Sequence, residues 1–146
     1  MDQIGAVLKR AMPFQTVPPE MLQQIVKLAT LKSYARGDMI YDFDEAADNI
    51  YIVASGRVDH SLRGEGDGEI LDKVMLPGDV FGWAAVLTGR SVRMARTTCL
   101  ERSEVLRING EALMALVKQS PVNGDVIMSR FATMITREFS ASSAVA

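Results

Sequence analysis

Hydrophobic residues recur every three to four positions at both ends of this chain and closer to every second position in its middle. Ile4, Val7, Leu8 and Met12 share one helical face over residues 3–12. Met21, Leu22, Ile25, Val26 and Leu28 repeat that pattern after Pro18 and Pro19, which suit the first turn of a helix, with Glu20 beside them. From Leu31 the period changes. Met39-Ile40-Tyr41 and Ile50-Tyr51-Ile52-Val53 are rich in β-branched and aromatic residues and predict strands. Val58, His60 and Leu62 alternate with Asp59, Ser61 and Arg63, as in a half-buried strand. Ile70 to Leu76 predicts its return partner across the flexible loop Gly64-Glu65-Gly66-Asp67-Gly68. Two further strands are expected over 94–99 and 103–108. Ala35-Arg36-Gly37-Asp38, Ser55-Gly56 and Pro77-Gly78-Asp79 mark turns. Helical spacing returns after Asn109-Gly110 through Ala112, Leu113, Leu116 and Val117, and again after Ser120-Pro121. Val126, Ile127, Phe131, Met134, Ile135 and Phe139 form the stripe of that last helix, and the small polar tail 140–146 is expected to fray.

Helices, then many short strands, then helices predict an α+β domain with a β-barrel or jelly-roll core. A length of 146 residues suits a single domain with a real core. The expected division is N-terminal helices over 1–30, strands over 31–109, C-terminal helices over 110–139 and a tail over 140–146. Apolar residues at 48% and charged residues at 23% are ordinary for a soluble globular protein. The 16 basic and 18 acidic residues are scattered and leave a net charge of −2, so no global field draws the chain to nucleic acid or an anionic membrane. Cys99 is the single cysteine, which excludes an internal disulfide and points to a reducing compartment. No apolar run has membrane length, and the N-terminus lacks the order of a signal peptide. A cytoplasmic location follows by default.

One stretch carries candidate chemistry. In Leu76-Pro77-Gly78-Asp79-Val80-Phe81-Gly82-Trp83-Ala84-Ala85-Val86-Leu87-Thr88-Gly89 a turn opens a short helix with little side chain at its start. Gly82 lets a ligand approach the backbone, and amides of a first helical turn favour an anion. Arg93 supplies a planar fork of donors a few residues later. The plainer readings are Trp83 as a packing residue, Arg93 paired with an acid such as Glu101, and Gly82 as a turn the fold requires. Other candidates carry less. His60 is the sole histidine, which excludes a histidine-rich metal site. Cys99 reads as a buried inert thiol. Ser55 and Ser91 belong to no triad, Arg36-Gly37-Asp38 reads as a strand turn, and the nine methionines read as core filler. No catalytic constellation stands out, and the chain is read as a non-enzyme.

These residues resemble a known family. Ala35-Arg36-Gly37-Asp38-Met39-Ile40, Ile50-Tyr51-Ile52-Val53-Ala54-Ser55-Gly56-Arg57-Val58, Leu76-Pro77-Gly78-Asp79-Val80-Phe81-Gly82, Leu87-Thr88-Gly89 and Arg93 are similar, in order and spacing, to the cyclic nucleotide-binding domain of the bacterial cAMP receptor protein type. The similarity covers roughly residues 14–139. It implies an eight-stranded antiparallel, jelly-roll-like β-roll between N-terminal helices and a C-terminal helical pair, with a phosphate cassette at 78–96. It implies a ligand, cAMP or cGMP, held by Gly82, Trp83, Ala84, Ala85, Arg93, Met94 and Ala95, with no further cofactor and no metal. The backbone amides of Gly82, Ala84 and Ala85 would face the cyclic phosphate, and Arg93 would be the phosphate arginine. The chain departs from the family pattern at three places. Trp83 replaces the glutamate that accepts the ribose 2′-hydroxyl, Met94 stands where a small residue is common, and Phe43 stands where glycine is usual.

Two functional readings follow. One is a ligand-sensing regulatory module binding a cyclic nucleotide or related small anion. The other is a degenerate member that no longer binds nucleotide and serves dimerisation or protein interaction. Ile127, Phe131, Met134 and Ile135 are the residues expected to join two chains through the last helix, if that helix does not pack on its own domain. No recognition helix or basic patch follows Phe139, so DNA binding by this chain alone is not expected, nor is a membrane partner.

Overall fold

Two sheets of antiparallel strands form a roll with helices packed on one side. The computed structural model describes residues 3–63, 69–86 and 92–145, with the side chains of 69–72 and 137–145 excepted. Among the described residues the helices are α1 (Gln3–Arg10), α2 (Pro19–Leu28), α3 (Gly110–Gln119) and α4 (Pro121–Val145). The strands are β1 (Ala29–Tyr34), β2 (Met39–Tyr41), β3 (Asn49–Ser55), β4 (Val58–Arg63), β5 (Glu69–Met75), β6 (Val80–Phe81), β7 (Ala95–Cys99) and β8 (Ser103–Asn109). Short 3-10 turns lie at Met12–Phe14 and Trp83–Val86. One sheet runs β1-β8-β3-β6 and the other β2-β7-β4-β5. The expected loop 64–68 lies outside the described residues.

Local chemistry sets these boundaries. Pro19 opens α2 in the position where its missing N–H costs nothing. The Asn109 side chain caps α3 by accepting from the Ala112 amide at 2.9 Å. The same turn is used twice. In Ala35-Arg36-Gly37-Asp38 and Leu76-Pro77-Gly78-Asp79 the fourth residue's amide donates to the first residue's carbonyl, at 3.0 and 2.9 Å. In both, the aspartate side chain accepts from the first residue's amide at 2.8 Å. Strand β6 emerges from the second of these turns; no periodicity marks a strand of two residues. The last helix runs to Val145, past the expected end at Phe139, because Ser140-Ala141-Ser142-Ser143-Ala144 holds no glycine or proline to stop it.

The first sheet is buried on both faces, and this divides the core in two. Ile50, Ile52 and Ala54 of β3 and Leu106 and Ile108 of β8 face the helices, meeting Leu8, Leu22, Ile25, Leu113, Ile127 and Phe131. Tyr51, Val53 and Val105 face the roll interior with Tyr41, Val58, Met75, Phe81, Ala95 and Cys99. The stripe on α4 is spent mostly on the chain's own core. Ile127 and Phe131 are fully buried, Phe131 lying edge-on to Phe14 at 6.0 Å, while Met134 and Ile135 are half-buried. Pairing of two chains therefore cannot rest on Ile127 and Phe131, contrary to the expectation from periodicity, which does not say what a stripe packs against. Val126 of the same stripe faces solvent, and the Phe139 side chain lies outside the described residues. The methionines divide likewise: Met21 and Met75 are buried, but Met39 and Met94 are exposed rather than core filler.

Cys99 is 1% exposed, and burial pushes its thiol up against a smaller opposing effect of a hydrogen bond from Ser103. Both exposure and ionisation oppose reaction. A thiol reagent at pH 8 is expected to label Cys99 only as fast as the domain unfolds, which mass spectrometry with and without denaturant would follow.

Candidate functional site

Strand β6 ends at a bend. Gly82 has φ +75, a conformation that L side chains rarely adopt. A Cβ there would lie 3.0 Å from the Tyr51 ring, 3.1 Å from Arg93 Nη1 and 3.2 Å from the Asn49 carbonyl oxygen. Glycine is required for conformation and for space together. The 3-10 turn Trp83–Val86 follows, with the Ala85 amide donating back to the Gly82 carbonyl at 3.3 Å.

Arg93 comes to this bend from the strand side of the roll. It is 3% exposed. Its Nη1 donates to the Gly82 carbonyl at 2.9 Å and its Nη2 to the Asn49 carbonyl at 2.5 Å. The guanidinium lies over the Tyr41 ring, 4.1 Å from its centroid, with Tyr51 at 5.8 Å. Tyr41, Tyr51 and Phe81 form one aromatic group, with centroids 5.3 to 6.1 Å apart. Two neutral carbonyls and a ring face are thus what this cation meets. Among the described residues no carboxylate pairs with it, and Glu101 is instead bound to Arg57 at 3.3 Å. The Arg93 Nε is buried without a hydrogen-bond partner. A buried guanidinium without a counter-ion, holding an unspent N–H, is costly unless an anion completes it.

The other expected site residues are placed as follows. Gly82 and Arg93 are brought together. Trp83 is half-buried and packs, with Ala85, against the helix-side core. Ala84 is half-buried in the same turn. Met94 is 62% exposed beside Arg93, and Ala95 is buried in the strand-side core. The stretch 87–91 of the expected cassette lies outside the described residues.

Sequence reasoning did not foresee the segment that holds Arg93. The loop from β2 to β3 runs alongside residues 92–93 as a short antiparallel pair. The Arg93 amide donates to Glu45 O at 2.8 Å, the Asp44 amide donates to Arg93 O at 3.0 Å, and Ala46 bridges Val92. The side chains of this loop are fastened to the second sheet. Arg96 Nε and Nη2 reach the two oxygens of Asp42 at 2.7 and 3.3 Å, and Arg63 pairs with Asp44. The Phe43 ring meets both guanidinium groups, 4.6 Å from that of Arg63 and 5.0 Å from that of Arg96. Hydrogen bonds from Arg96, then from the Phe43 amide, hold the Asp42 carboxyl below the usual carboxylate range. The pair therefore persists above that depressed value and is lost only as pH falls through it.

No helix among the described residues is long and apolar enough to cross a membrane, and no three His, Cys, Asp or Glu side chains among them gather as metal ligands. The fold and this bend define an antiparallel β-roll with a buried guanidinium at a glycine turn, paired by no carboxylate among the described residues. The chain belongs to the cyclic nucleotide-binding domain family, whose model matches residues 31–120. It is 31% identical over 107 residues to the cGMP-dependent 3′,5′-cGMP phosphodiesterase A of Dictyostelium discoideum, covering 73% of this chain and 12% of that protein. It is 26% identical over 137 residues to a CRP-like cAMP-activated global transcriptional regulator of Mycobacterium tuberculosis, covering 94% of this chain and 59% of that one. The crystal structure of the Thermus thermophilus catabolite activator protein shares the fold, with a TM-score of 0.78 at 22% identity, over 92% of this chain and 61% of that one. The chain thus spans less than two thirds of each of these relatives.

Proposed function

We propose that this chain is a ligand-sensing regulatory module that receives the cyclic phosphate of cAMP or cGMP at the Gly82 bend, with Arg93 as the counter-charge. The observation that carries this reading is the buried guanidinium, set against the bend with no carboxylate partner among the described residues and with its Nε unspent. An anion on that nitrogen adds a charge-assisted hydrogen bond and supplies the missing counter-ion at once. Gly82 and Ala84 would provide backbone amides, the Ala85 amide being bonded to the Gly82 carbonyl, and Met94 and Ala95 the flanking wall. Trp83 packs against the helix-side core. One curated relative is cGMP-dependent and another cAMP-activated by name, which sets the ligands to try first.

A ligand that binds only the folded state raises its stability by about 2.7 kcal/mol at a hundredfold excess over Kd. For a domain of this size that is a rise in melting temperature on the order of 5–15 °C. We expect a thermal-shift panel at millimolar concentration to show such a rise with cAMP or cGMP and a smaller one with the linear monophosphates. Trp83 is the single tryptophan and sits in the turn next to the bend, so its emission should titrate in parallel. No shift with any cyclic nucleotide, together with no heat in calorimetry, would overturn the reading.

A further inference from the structure

We infer that Phe43 is the positioning residue of this site: in contact with both Arg63 and Arg96, it fixes the loop that in turn fixes the backbone of Arg93 for an anion. The inference rests on the reading of Arg93 as the phosphate-binding cation. The argument begins with reach. Arg93 stands two residues before β7, which begins at Ala95. Its amide and carbonyl are both bonded to the β2–β3 loop, at Glu45 O and the Asp44 amide. Residues 44 and 45 thus set the backbone from which the Arg93 side chain reaches the Gly82 and Asn49 carbonyls.

That loop makes little of its own structure beyond a bond from the Glu45 amide to the Asp42 carbonyl at 3.3 Å and one from the Phe43 amide to the Asp42 side chain at 2.7 Å. Asp44 has φ +67, an uncommon conformation for a side-chain-bearing residue, and Glu45 and Ala46 are exposed. Its anchorage comes from Asp42, Phe43 and Asp44 acting on Arg63 of β4 and Arg96 of β7. The Asp44–Arg63 pair is mostly exposed, with side chains 70% and 59% accessible, and such pairs hold weakly. The Asp42–Arg96 contact is two-pronged and more sheltered. Phe43 is the member both arginines share. Its ring lies within cation–π distance of both guanidinium groups, 4.6 and 5.0 Å away, and so joins the two ion pairs into one fastening. Arg96 stands three residues after Arg93, so the same loop grips this strand at both points.

The experiment compares Phe43→Leu with Phe43→Tyr in the full chain. Leucine keeps apolar bulk and removes the ring; tyrosine keeps the ring. Hydrogen exchange of the Arg93 and Asp44 amides is the first readout and needs no ligand. We expect Phe43→Leu to speed exchange at both amides at least tenfold, with the core amides of β3 and β8 unchanged, and Phe43→Tyr to match the wild type within about twofold. The second readout is calorimetric Kd for the cyclic nucleotide that the thermal-shift panel identifies, which should weaken about tenfold in Phe43→Leu and recover in Phe43→Tyr. Equal exchange in the leucine and tyrosine variants would overturn the inference. Faster exchange with unchanged affinity would overturn it also, since the loop would then not position the cation. If the wild type binds no cyclic nucleotide, the proposed function falls and takes the role of Phe43 in ligand binding with it. The exchange data would still separate a clamp from filler.

Discussion

Arg93→Met is expected to abolish cyclic nucleotide binding while leaving a folded domain that melts within about 8 °C of the wild type. The two effects differ because the guanidinium is used differently in the two states. In the proposed complex the anion would take a charge-assisted hydrogen bond from Nε, worth about 1.5–3 kcal/mol, and the guanidinium as its counter-charge. Losing both is expected to weaken affinity by on the order of a hundredfold or more. In the empty protein the same group is a buried cation facing two carbonyls and a tyrosine ring, with its Nε unspent. Its desolvation there offsets much of what those contacts contribute. Methionine fills similar volume, packs against Tyr41 and Tyr51, and removes the buried charge. It strands the Asn49 carbonyl, at a cost of about 1–3 kcal/mol, whereas Gly82 O keeps its bond from the Ala85 amide. Relief and loss are of similar size, so stability moves little. Calorimetry and a thermal melt on the same sample check both parts. A collapse of the fold would show that Arg93 is a structural strut. Unchanged affinity would remove it from the site.

Much of this architecture is legible in the chain. The change of period near Leu31, the paired glycine-aspartate turns at 35–38 and 76–79 and the cap at Asn109 are local signals, and local chemistry decides them. The bend at Gly82 is legible for the same reason. What surrounds Arg93 is not. Asn49 lies 44 positions away in sequence and offers only its carbonyl, a group every residue carries. Tyr41 reads as a strand residue whether or not a guanidinium covers it. The role of Phe43 depends on Arg63 and Arg96 arriving from two different strands of the second sheet. The signal that pointed to it was its departure from a usual glycine. The α4 stripe shows the opposite failure. Periodicity correctly marks a buried face at Ile127 and Phe131 but cannot say whether the cover is a second chain or the roll behind it.

Gly110→Ala is expected to destabilise the domain by about 2 kcal/mol or more and to weaken ligand binding in the fraction that folds. Gly110 starts α3, where its amide donates to Asp48 O at 2.9 Å. Alanine at an ordinary helical position gains up to about 1 kcal/mol in propensity, so on helix chemistry alone the change would stabilise. Space decides against it. A Cβ on Gly110 would lie 2.3 Å from Ala85 O, 2.8 Å from Ala85 C and 2.9 Å from Ala85 Cβ. The obstacle is backbone, which cannot turn aside as a flexible side chain would, and overpacking of this kind costs about 1–3 kcal/mol or more. Either α3 shifts or the turn Trp83–Val86 shifts. If the turn gives way it moves the segment that begins at Gly82, whose carbonyl holds Arg93. Affinity should then fall at least about tenfold. Gly37→Ala is the control. It has φ +88 but nothing within 4 Å of its Cβ, so only the backbone conformation, about 1–2 kcal/mol, opposes the change. It should lower the denaturant midpoint without altering Kd. If Gly110→Ala lowered stability as Gly37→Ala does and left affinity intact, the turn and α3 would not be coupled. The bend would then sense its ligand without reporting it to the helices.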